Sequence, residues 1–81
     1  MTPEQASTRI VMSRAILTAW ETRLPENENG HDAARAEAEI TALSVIAVEH
    51  PHMAEKADRL VENWRAIMLA LRRRAGPPGI F

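Results

Sequence analysis

The sequence predicts an all-α fold, three helices forming a small bundle that is completed by dimerisation. Two observations predict the helices. Apolar residues recur at three- and four-residue spacing in three separate segments, and Pro or Gly punctuates the borders between them. A third observation predicts the dimer. The chain has 81 residues, 46% of them apolar, and a chain this short leaves a large share of its surface wet. Its second helical segment is nevertheless apolar on nearly every side, more than two neighbouring helices of the same chain can cover. A single three-helix domain over residues 1–75 is expected, followed by a Pro/Gly tail over 76–81.

The first helix is expected over residues 3–24. Thr2 is placed to cap it, Pro3 suits the first helical position, and Gln5 completes a T-x-x-Q capping box. At about 100° per residue, Ala6, Ile10, Met12, Ile16, Leu17, Trp20 and Leu24 fall on one broad face, with Arg14, Thr18, Glu21 and Thr22 opposite. Pro25 stops the helix, because its ring disfavours helical geometry at Leu24. The polar stretch from Pro25 to His31 is rich in turn formers and long enough to reverse the chain. Asn29 or Asp32 is the expected cap of the second helix.

That second helix is expected over residues 32–49. Ala33, Ala36, Ile40, Leu43 and Ala47 form one stripe; Ala34, Ala38, Val45 and Val48 form another, well round the cylinder. The third is expected over residues 51–74, on a clean stripe of Met53, Ala57, Leu60, Val61, Trp64, Ile67, Met68 and Leu71. Glu55, Arg59 and Glu62 lie within reach of one another on its surface. Arg72, Arg73 and Arg74 suit the negative end of its dipole, Gly76 caps it, and Pro77-Pro78 forbids continuation. The join at Glu49-His50-Pro51 is short. A sharp corner is the favoured geometry, and a single rod kinked at Pro51 is the alternative.

Charge is uneven along the chain. Residues 1–25 hold three Arg and two Glu (+1), residues 26–49 six acids and one Arg (−5), and residues 50–81 six bases and three acids (+3), for the net −1. Complementarity within the chain or across a dimer is the expected use; a basic tip for an acidic partner is the sharper one. The absence of Cys excludes a disulfide framework, a thiolate zinc site and a Cys nucleophile. Met1-Thr2-Pro3-Glu4-Gln5 has neither the basic head nor the apolar stretch of a signal peptide, and the apolar run Ala42–Val48 is far short of a span. A cytoplasmic protein without membrane contact is expected.

Chemistry-bearing residues are few. His31, His50 and His52 are the only imidazoles, and His50 and His52 flank a Pro, so they do not share a helix face as metal ligands would. No metal or other cofactor is expected; His50 should cap the third helix and His52 lie in its solvated first turn. No acid is expected inside an apolar stripe, where burial would perturb it. Arg72, Arg73 and Arg74 are candidates for anion contact, although three consecutive residues point in three directions. Trp20 and Trp64 fall inside apolar stripes and read as core. Neither G-x-S-x-G, H-E-x-x-H nor a Walker sequence is present.

The function expected from these features is a helical protein-interaction module, an adaptor, regulator or inhibitor of a larger macromolecule without catalysis of its own. Its partner-binding residues are expected to be Ala34, Ala38, Ala42, Val45 and Val48 on the second helix with Leu69 on the third, serving a homodimer and a further protein partner. Ile80 and Phe81 at the end of the tail are expected to dock onto this chain or a partner. Two other readings compete. A helix-turn-helix-like nucleic-acid regulator would use the corner near residue 50, and a small dimeric helical enzyme would bind an anionic ligand through Arg9, Arg14 and Arg23.

Overall fold

The computed structural model describes residues 1–74, which form three long helices, two short 3₁₀ turns and no strand. Helix α1 (Pro3–Thr22) leads through a turn at Glu28–Gly30 into α2 (His31–Glu49), and a second turn at Pro51–Met53 leads into α3 (Ala54–Arg74). Contacts at both ends set the directions. Ser13 meets Trp64 and Leu24 meets Arg74, so α1 runs parallel to α3; Asn27, just before α2, meets Leu71 near the end of α3, so α2 runs antiparallel to it. α2 and α3 pack along their whole length, while α1 lies mainly against α3. A hairpin with a sharp corner is therefore the geometry at residue 50, not a kinked rod.

The start of α1 obeys its sequence chemistry. Gln5 N–H donates to Thr2 Oγ1 (3.1 Å) and Thr2 N–H to Gln5 Oε1 (2.9 Å), a complete capping box with Pro3 in the first turn. The helix ends at Thr22, two residues before the expected 24, because Arg23 is already extended ahead of Leu24-Pro25. Its inward stripe is Ala6, Ile10, Ser13 and Leu17. Met12, expected on that stripe, is instead 54% exposed. Two residues from Ile10 is a turn of about 200°, which carries Met12 to the opposite side.

Ser13 takes the inward place and is fully buried, where its Oγ accepts the Trp64 Nε1–H at 2.9 Å. That bond lets an indole N–H sit in the core without an unmet donor. Trp20 packs edge-on against Trp64 with centroids 5.2 Å apart, so both tryptophans belong to the core, Trp64 fully and Trp20 in part. Ala6, Ala36 and Ala57, one on each helix, are also fully buried. Small side chains at these positions let the helix axes approach closely.

The cap of α2 differs from expectation. Neither Asn29 nor Asp32 caps it; Gly30 does, with φ +74 and no side-chain bond. Asn27 supplies the missing acceptor. Its Oδ1 accepts the Ala33 N–H (2.8 Å), its Nδ2 donates to the Leu71 carbonyl (3.1 Å), and its own N–H donates to Asp32 Oδ2 (2.8 Å). Asn27 and Asn29 both hold positive φ (60° and 54°), which Asn tolerates better than most non-glycine residues.

His50 does not cap the third helix through its side chain. Its ring is buried with Nε2 unpartnered, while its carbonyl accepts the Met53 N–H at 2.8 Å. His52 is exposed in the turn, as expected. The Glu55–Arg59 pair forms at 2.7 Å on the outer side of α3.

Candidate interaction surface

Once the core is closed, apolar side chains remain outside it on all three helices, most of them on α1 and α2. α1 presents Thr8, Val11, Met12, Ala15, Thr18, Ala19 and Thr22, all exposed and none charged. Val11 is 64% exposed. This outer face, free of charge from Thr8 onward with Glu4 one turn earlier, explains why α1 separates polar from apolar so weakly: most of both sides is uncharged, and only one side is used by the core. Sequence reasoning missed it by assigning Met12 inward; the spacing of Thr8, Met12, Ala15, Ala19 and Thr22 was the available signal.

α2 presents the second stripe where the spacing predicts it. Ala34, Ala38, Val45 and Val48 are exposed, Val48 at 79%. Ala42 is half-buried on the flank rather than on the crest. Leu69 stands exposed on the α2 side of α3, three residues before Arg72, whose guanidinium reaches Glu37 of α2. The geometry thus places Leu69 and the α2 residues on one side of the molecule, with Met12 and Val11 on another helix.

Some of the charge is spent within the chain. Arg72 pairs with Glu37 (3.7 Å), and Arg74 pairs with Glu26 (3.6 Å) and donates to the Leu24 carbonyl (3.3 Å). Two of the three candidate anion-binding arginines therefore bind the acidic second segment; Arg73 is exposed, with no ion pair among the described residues. The uneven charge of the sequence resolves as attraction between the start of α2 and the end of α3.

Against expectation, one acid is buried. Glu39 is 1% exposed, and its Oε2 accepts from Arg9 of α1 (2.6 Å) and Arg35 of α2 (3.3 Å) while Oε1 has no partner. It lies on the edge of the α2 core stripe that faces α1, one residue short of Ile40. Two arginines offset the loss of hydration, and the cluster ties α1 to α2.

A shallow cleft of about 240 Å³ lies between α1 and the start of α3, lined by Ser7, Ile10, Val11, Arg14, His52, Met53 and Lys56. Three bases, Arg14, His52 and Lys56, and the Ser7 hydroxyl line it, without an acid among the lining residues. Among the described residues, no three His, Asp or Glu side chains converge as metal ligands do, and no helix is long and apolar enough to cross a membrane. Ile80, Phe81 and the tail contact expected of them lie outside the described residues. Compared with known proteins, the chain matches no family model, no curated protein and no solved structure.

Proposed function

We propose that the chain is a small helical interaction module that works by occupying the surface of a larger protein, as an adaptor, regulator or inhibitor without chemistry of its own. It does so as a homodimer. The observation that carries this reading is the uncharged outer face of α1 together with the Ala/Val crest of α2, left outside a core that is already closed. Contiguous exposed apolar surface on a small protein marks a site for another macromolecule. The α1 face has the spacing and breadth to receive the apolar side of an amphipathic helix.

The other two readings draw less support. A helix-turn-helix needs two helices crossed steeply, whereas α2 and α3 lie antiparallel along their length. An enzyme reading would draw on the cleft between α1 and the start of α3, where bases gather without an acid. The decisive experiment is capture from the native host by tagged wild type, Met12→Glu and, as a control on the polar side of α3, Asp58→Lys. Loss of one specific partner in Met12→Glu alone is the expected result. Identical capture by all three, or none by any, refutes the reading.

A further inference from the structure

We infer that two copies pair through the outer face of α2 in antiparallel orientation, about a twofold axis beside Ala42. This rests on the reading of the chain as a dimeric interaction module and specifies how the dimer is built. Ala34, Ala38, Thr41, Val45 and Val48 recur at alternating four- and three-residue spacing, the seam of a two-helix coiled contact. All five are exposed, although every core position of the same helix is covered.

Side-chain size selects the orientation. The seam is small at its start, with two alanines, and large at its end, with two valines. Antiparallel pairing sets the valines of each copy into the spaces between the alanines of the other. Parallel pairing sets alanine against alanine and leaves one end hollow, at the expense of packing.

Charge selects the same orientation. Arg35 and Glu49 each lie seven residues from Ala42, on the same edge of the helix. Rotation about an axis at Ala42 brings Arg35 of each copy level with Glu49 of the other, twice by symmetry. Arg35 bonds Glu39 through Nε alone, and Glu49 is exposed with no ion pair among the described residues. Parallel pairing would instead set Arg35 near Glu37 of the other copy, a carboxylate that Arg72 already holds, and would leave Glu49 without a base. Glu37, on the other edge, is engaged by Arg72, and Leu69 beside it widens the apolar strip.

The seam spans about 21 Å at 1.5 Å per residue. A contact between single helices of that length falls short of the ~800 Å² per partner of a standard stable interface. The dimer is accordingly weak, forming and dissociating with concentration, and it leaves the α1 face free.

The test combines sedimentation equilibrium with cross-linking. Wild type should pass from monomer to dimer between micromolar and millimolar concentration. Val45→Glu and Val48→Glu, at exposed positions that leave folding intact by circular dichroism, should each weaken association about tenfold or more. The sequence has no Cys, so single cysteines report distance cleanly. Thr41→Cys should be joined to itself by a short bis-maleimide. Ala34→Cys and Val48→Cys should not, since antiparallel pairing separates like residues by about 24 and 18 Å along the axis.

A monomer at every concentration overturns the pairing, as does a dimer indifferent to both glutamates. Self-cross-linking of Ala34→Cys as readily as Thr41→Cys overturns the orientation. A monomer that still captures a partner through Met12 overturns the pairing alone. A dimer cross-linked at Thr41 that captures nothing supports the pairing and overturns only the role on a larger protein.

Discussion

Replacing Asn27 with Ala should remove a large part of the stability of the bundle. Three demands meet in that side chain. Its Oδ1 holds the Ala33 N–H at the start of α2, its Nδ2 holds the Leu71 carbonyl near the end of α3, and its backbone sits at φ 60. Asn27 is 5% exposed, so water reaches the two orphaned groups poorly, and each unmet buried group costs about 1–3 kcal/mol. A left-handed Ala adds about 1 kcal/mol. The expected total is about 3–7 kcal/mol, against roughly 4–12 kcal/mol for a domain of this size. Urea denaturation followed by far-ultraviolet circular dichroism measures it.

Two companions separate the causes. Asn27→Gly keeps the backbone free and loses the bonds, and should be about 1 kcal/mol milder than Ala. Asn27→Asp keeps the acceptor for Ala33 but sets a carboxylate against the Leu71 carbonyl, and should be no milder than Gly. A loss below about 0.5 kcal/mol for Asn27→Ala refutes the reasoning, since that is within the scatter of surface substitutions. Equal losses for Ala and Gly would remove backbone strain from the account.

Other substitutions probe the core in the same assay. Glu39→Ala should cost about 2–3 kcal/mol, less than a fully buried pair, because Arg9 and Arg35 are partly exposed and regain water; Glu39→Met, which fills the site without charge, should lie within about 1 kcal/mol of wild type. Ser13→Ala strands the Trp64 Nε1–H and should cost about 1–2 kcal/mol, with a change in tryptophan emission that Ser7→Ala does not produce. Ala36→Leu forces a larger side chain into a fully buried position of α2 and should cost at least about 1–3 kcal/mol. Thermal unfolding that ranks Ala36→Leu with exposed Ala34→Leu would show that the helices do not approach closely there.

Much of the fold was legible because its signals are local. The Thr2–Gln5 box, the stop before Pro25 and the corner at Pro51 each act within four residues, so they can be read without knowing what lies nearby. The inward stripe of α3 was legible because its outer side is mostly polar. α1 was harder to read, since most of both its sides is free of charge; the offset of Met12 from Ile10 was the one local signal, and the bond from Trp64 to Ser13 fixes which residue lies inward. Of the candidate surface, the α2 crest and Leu69 were visible as apolar residues left over from the core stripes, whereas the outer face of α1 was hidden by that same ambiguity.

By itself, then, the sequence determined three helices, their approximate ends and the surplus of apolar surface on α2, since periodicity, capping and proline geometry are properties of neighbouring residues. Only the tertiary structure decided the up-down-up arrangement, the burial of Glu39 between two arginines and the role of Asn27 in joining the start of α2 to the end of α3, 44 residues apart. The reason is physical. Those choices depend on which surfaces exclude water together, and that is set by packing between segments rather than by any one segment's own pattern.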